Sequence, residues 1–263
     1  MDGISIRRRI ALDIARSLRK SQEEEHPLRQ LFWECTLRCN LHCLHCGSDC
    51  KQVASTPDMP KEDFFTVLDS IAVKTDPHKV FVIVSGGEPT MRADLEECGK
   101  GIYSRGFPWG MVTNGFGMTR ERFSRLLGAG LHSMTVSLDG LQDSHDWLRG
   151  REGSFTRAAE TIRMAVQSDI AFDVVTCVNR RNYSQLSQIK EFLISLGLKE
   201  WRLFSIFPQG RAALNPDLQL PSEMFRGMLD FIKATRKEGR IKASYGCEGF
   251  LGPYEGDVRD HFY

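Results

Sequence analysis

The chain has 263 residues, 41% of them apolar and 26% charged, with 35 basic and 34 acidic side chains. That length and apolar content allow a full core and exclude a disordered chain, which needs fewer apolar residues and a larger charge imbalance. A net charge of +1 and a pI near 7.6 give no electrostatic footprint for duplex nucleic acid.

Residues 3–20 read as a basic amphipathic helix with Ile6, Ile10, Ala11 and Ile14 at helical spacing, ended by Ser21–Pro27. Asp13 and Arg16 break its apolar run too early for a signal peptide, and no window reaches the ~20 apolar residues of a membrane span. The expected location is the cytosol. The helix is expected to pack against the body of the protein, with binding to an anionic membrane surface as the alternative.

Six short β-branched or aromatic runs follow: 31–36, 80–85, 109–113, 134–138, 172–178 and 201–206. Each precedes a segment of helical period, with Thr119 and Ser154 as candidate N-caps and 95–103 as the weakest of the six. Six strand–helix units imply right-handed crossovers and an α/β fold on a parallel sheet. Turn signals fall at the C-terminal ends of strands, in Gly86-Gly87-Glu88-Pro89, Thr113-Asn114-Gly115 and Asp139-Gly140. That edge is where α/β folds bind ligands. After Gly239 the periodicity stops, and residues 244–263 are rich in Gly and aromatics with neither period.

Five of the eight cysteines lie within sixteen residues, and Cys39, Cys43 and Cys46 form a C-x3-C-x2-C directly after the first strand. In a reducing compartment such a cluster points to metal rather than to disulfides. A structural zinc site takes four ligands, for which His42, His45 or Cys50 would have to supply the fourth. Clustered thiolates also suit an iron–sulfur cluster, where three protein ligands leave one iron open. Buried thiols or a zinc knuckle remain the bland readings. Cys35, Cys98 and Cys177 read as core, while Cys50 and Cys247 stay ambiguous.

The C-x3-C-x2-C after strand one, the GGEP after strand two, the TNG loop and the VSLDG loop, in that order, resemble the radical S-adenosylmethionine (radical SAM) superfamily. The CNLHCLHC run is similar to the branch with C-terminal SPASM or twitch modules, and the whole chain loosely resembles a subgroup encoded beside lipoproteins. The resemblance implies a partial (β/α)6 TIM-like barrel over 28–240, an N-terminal extension over 1–27, and in 241–263 the start of a C-terminal module cut short. Only Cys247 follows Cys177, which is too few cysteines for an auxiliary cluster.

It also implies that Cys39, Cys43 and Cys46 ligate a 4Fe–4S cluster whose fourth iron binds S-adenosylmethionine (SAM). One-electron cleavage of SAM would then give a 5′-deoxyadenosyl radical that abstracts hydrogen from substrate. By the same resemblance Gly86, Gly87, Glu88 and Pro89 meet the SAM amino group. Ser137 reaches its carboxylate or ribose, and Thr113 and Asn114 line the rim. His45 and Phe207 sit near adenine, and Arg149 contacts the carboxylate. The implied substrate is a peptide or protein side chain, and the implied electron donor a flavodoxin or ferredoxin. A small-molecule substrate of cofactor biosynthesis, or a non-catalytic iron–sulfur or zinc-binding remnant, are the alternatives.

Overall fold

Side-chain alternation along β1 (Gln30–Thr36) sets the architecture: Trp33 and Cys35 are buried on one face, while Gln30, Phe32 and Glu34 are exposed on the other. The computed structural model describes residues 5–260. In it β1 is followed by α2 (Lys61–Ala72), β2 (Phe81–Gly86), α3 (Leu95–Ser104), β3 (Trp109–Thr113), α4 (Arg120–Gly128) and β4 (Leu131–Ser137). Then come α5 (Gln142–Arg149), α6 (Ser154–Val166), β5 (Ala171–Val178), α7 (Leu186–Ser195), β6 (Glu200–Ser205), α8 (Ser222–Glu238) and β7 (Lys242–Tyr245). The α1 helix (Ile6–Glu25) precedes them all.

The strands form one parallel sheet in sequence order, β1 through β7, with β1 and β7 as its two edges. One face carries Val82, Val84, Met134, Val136, Val174, Trp201 and Leu203 against Leu68, Ile102, Leu126, Ile162, Ile189 and Ile232 of the helices. The opposite face lines a cavity of about 880 Å³ with Phe32, Ile83, Val112, Thr135, Asp173 and Arg202. The sheet is thus an open, partial barrel with apolar packing outside and a mixed lumen inside.

The structure departs from the sequence reading in four places. A seventh strand, β7, pairs in parallel with β6, so the sheet runs past the boundary expected at 240. Its four residues, Lys-Ala-Ser-Tyr, are too few to show a period. Ser154 is not a cap: Gly153, at φ 78°, holds that position, and the carboxylate of Asp146 accepts from the N–H groups of Gly153 and Phe155 and from Ser154 Oγ. Thr119 does cap α4, accepting from Arg122 N. The α1 helix continues through Ser21 to Glu25, since Ser, Gln and Glu tolerate a helix. It stops where His26 takes φ 45° ahead of Pro27.

The fourth departure is the face by which α1 packs. Leu12 is buried and Arg8 pairs with Asp257, whereas Ile6, Ile10, Ile14 and Leu18 are exposed. The isoleucine spacing is helical but marks the outer face. No helix among the described residues is long and apolar enough to cross a membrane. His261–Tyr263 lie outside the described residues.

Candidate functional site

The loop after β1 carries the cysteines and is tied down from three sides. Cys39 N donates to Lys51 O at 2.8 Å, closing the loop on itself. Leu44 N donates to Leu148 O in the last turn of α5 at 2.8 Å. The loop after β6 clamps it from above: Arg211 N donates to Cys46 O at 2.9 Å, and Arg211 Nε to Cys43 O at 2.7 Å. Arg211 also donates to Asp49 Oδ1 at 2.7 Å and Cys50 O at 3.0 Å. A Cβ on Gly210 would lie 2.3 Å from Gly47 O, so this clamp closes only over glycine.

The glycines after β2 have the same kind of role. Gly87 N donates to Thr36 O and Glu88 N to Arg38 O, at 2.8 and 2.9 Å. A Cβ on Gly86 or Gly87 would meet Thr36 O at 2.3 Å or Arg38 O at 2.2 Å. Their close backbone approach is to the strand-one loop, and both glycines also line the pocket among these loops. Glu88 is fully buried, and both carboxylate oxygens are engaged within the protein. Oε1 accepts from Thr90 N, Thr90 Oγ1 and Thr113 Oγ1, and Oε2 from Asn114 N. The side chain thus fixes the loops after β2 and β3 to each other.

A pocket of about 250 Å³ opens among these loops. It is lined by Cys39, Cys43, Cys46 and Cys50, with His45, Gly86, Gly87, Glu88, Thr113, Asn114, Ser137, Arg149 and Arg211. Pro89 and Phe207 do not line it, and Phe207 is 67% exposed. Val112 lines both this pocket and the larger cavity of the lumen, so the two adjoin.

All eight cysteines are free thiols. Burial pushes the Cys39 thiol up to about 11 and raises that of Cys43, which Arg149 partly offsets. Cys50 is raised by burial as well, and it packs with Cys39 and Cys43 rather than lying on the surface. Burial lowers His45 to about 4, so it is neutral at pH 7, and its Nδ1 has no hydrogen-bond partner. Four soft donors around one pocket suit a thiolate-ligated metal cluster.

Sequence reasoning missed Asp139 and Arg211. Asp139 is fully buried at the end of β4. Burial alone would raise its pKa, but Arg149 and the neighbouring histidines hold it below the usual carboxylate range. Ligand atoms of His45, Asp139 and Cys177 lie within 4.8 Å of one another. Arg149 already takes the charge of that carboxylate, with Nε at 2.6 Å, so the trio makes an ion-pair site and not a separate cation site. In the sequence Asp139 shows only as the acid of an Asp-Gly turn and Arg211 only as a residue after Gly210, neither set apart from nearby charges such as Asp143, Asp146 and Arg151.

A model of the radical SAM superfamily matches residues 33–193. An AdoMet-dependent heme synthase of Methanosarcina barkeri is 30% identical over 225 residues, which cover 83% of this chain and 62% of the relative. A PqqA peptide cyclase of Rhizobium meliloti is 25% identical over 244 residues, covering 86% of this chain and 64% of the relative. The chain therefore spans less than two-thirds of the length of these relatives. Among solved structures, Streptococcus suis SuiB bound to S-adenosylmethionine superposes with a TM-score of 0.67 at 15% identity, over 95% of this chain and 58% of that one. This last likeness concerns the fold.

Proposed function

The chain belongs to the radical SAM superfamily, and on that premise we propose that Cys39, Cys43 and Cys46 hold a 4Fe–4S cluster whose remaining iron takes S-adenosylmethionine. Together these groups supply one-electron cleavage of a sulfonium C–S bond and the hydrogen-atom abstraction that follows. The observation that carries the reading is the meeting of three thiols, a further buried cysteine and the C-terminal ends of β2, β3 and β4 around one pocket.

The chain's own residues position and shield. Arg211 holds the carbonyls of the cysteine loop so that the thiols face inward. Glu88 locks the β2 and β3 loops, and the backbone of Gly86 and Gly87, which line the pocket, would accept from the SAM amino group. Ser137 would reach the SAM carboxylate or ribose, with Thr113 and Asn114 on the rim and His45 beside adenine. The substrate carbon would be held at the C-terminal rim of the sheet, near the reacting atoms and away from water.

For the substrate, the 30% identical heme synthase favours a small molecule of cofactor biosynthesis. The second reading is a peptide side chain, for which the 25% identical peptide cyclase speaks. A flavodoxin or ferredoxin would deliver the electron. The test is anaerobic reconstitution with iron and sulfide. About four of each per chain, and 5′-deoxyadenosine formed from SAM after reduction, support the reading. Cys43→Ala should abolish both, and cleavage that survives this change would refute the assignment.

A further inference from the structure

We propose that Arg149, aimed by Asp139, is a positioning residue that eases reduction of the metal centre through the sulfur of Cys43. The inference rests on Cys43 as a cluster ligand. Asp139 Oδ2 accepts from two guanidinium nitrogens of Arg149, Nε at 2.6 Å and one terminal nitrogen at 2.5 Å. Asp139 Oδ1 is fixed in turn by Cys177 N at 2.7 Å. One edge of the guanidinium is thus gripped by a carboxylate with no solvent exposure. The other terminal nitrogen lies 3.7 Å from Cys43 Sγ, within hydrogen-bond reach of sulfur.

The backbone holds this relationship as firmly as the side chains do. Arg149 is the last residue of α5, which Gly150 ends at φ 65°. The residue before it, Leu148, receives the N–H of Leu44, next to Cys43. The cysteine loop and the arginine are therefore pinned to the same turn. A second donor approaches a second thiol: Asn114 Nδ2 is 3.9 Å from Cys39 Sγ, and Asn114 N is anchored by Glu88.

A fork of N–H donors gripped on one edge is pre-organised on the other. An N–H directed at a ligating sulfur stabilises the more negative state of the centre and raises its reduction potential. The step concerned is gain of one electron by the cluster from an external reductant, with no bond made or broken in the protein.

The test uses the full chain, reconstituted anaerobically without SAM. Midpoint potentials are read by EPR redox titration for wild type, R149Q, R149K and the neutral pair D139N/R149Q. In R149Q the ratio of reduced to oxidised cluster at a fixed potential should fall about tenfold, a shift of ~59 mV for one electron. R149K, which keeps the charge but loses the fork, should fall part of the way. D139N/R149Q leaves the net charge unchanged, so it should stay low if the directed N–H matters. A return of that pair to the wild-type potential overturns the proposal, because charge alone would then explain R149Q. An unchanged potential with weaker SAM binding also overturns it, and makes Arg149 a contact of the SAM carboxylate. Should R149Q fail to load iron, R149K decides, and a wild-type potential there is refuting. Wild-type protein that takes up no iron instead sinks the cluster reading itself.

Discussion

Glu88 Oε2 accepts the backbone N–H of Asn114 at 2.7 Å, joining the start of the second βα loop to the start of the third. This single carboxylate, buried and shared with Thr90 and Thr113, holds two walls of the pocket in register. The consequence is that a change at Glu88 should disturb structure before chemistry.

Glu88→Gln turns one acceptor into an NH2 donor. Either the Asn114 N–H or the Thr90 and Thr113 donors then face a donor in a buried site. The expected cost is about 1–3 kcal/mol, the price of an unsatisfied buried group. Chemical denaturation of the apoprotein checks it. A stability within about 0.5 kcal/mol of wild type would mean that the carboxylate is not engaged as described.

Arg211 offers a sharper contrast, because its four donations all serve the cysteine loop and the clamp around it. Arg211→Ala leaves the carbonyls of Cys43 and Cys50 without those donors. The apoprotein should lose about 2–3 kcal/mol, and reconstituted protein should release iron faster to a chelator. Arg211→Lys should recover little, since an ammonium cannot reproduce the forked contacts. Iron release at the wild-type rate in Arg211→Ala would show that the clamp does not hold the loop.

How much of this was legible in the sequence follows from the kind of signal each part leaves. The strands were readable because Val82-Ile83-Val84 and Val174-Val175 are β-branched runs that sheets bury. The cysteine trio and the loops after β2, β3 and β4 were readable because their spacing and order are local. The pairing of Asp139 with Arg149, of Arg211 with Cys43 and of Glu88 with Thr113 was not, because these partners lie 10, 168 and 25 residues apart and no local pattern encodes such a contact. The α3 helix read weakly for a similar reason: Gly99 faces Trp109, where a Cβ would lie 2.3 Å from the indole, so packing overrode helix propensity.

The α1 helix separates periodicity from burial. Leu12 is 5% exposed and Ile10 56% exposed, although the isoleucines carry the visible pattern. Leu12→Ala should cost about 2 kcal/mol and Ile10→Ala at most about 0.5, measured by thermal or urea unfolding. The reverse order would place the isoleucine stripe inward and invert the helix's packing face.

Asp146 gives the stability a defined acid limb. Burial alone would raise its pKa, but the N–H groups of Phe155 and Gly153 and the hydroxyl of Ser154 hold it below the usual carboxylate range. A carboxylate depressed in the folded state adds stability above its unfolded pKa of ~3.9, and that stability is lost as pH falls through the lower folded value. Wild type should therefore exceed Asp146→Ala by about 1–2 kcal/mol at pH 7, the worth of a helix N-terminal cap. The gap should hold down to about pH 5 and narrow below about pH 4, as the cap protonates in the unfolded and then the folded chain. Urea midpoints of the two proteins between pH 3 and 7 measure it. A gap that widens toward acid would mean that Asp146 is better bound protonated, contrary to an acceptor that caps α6.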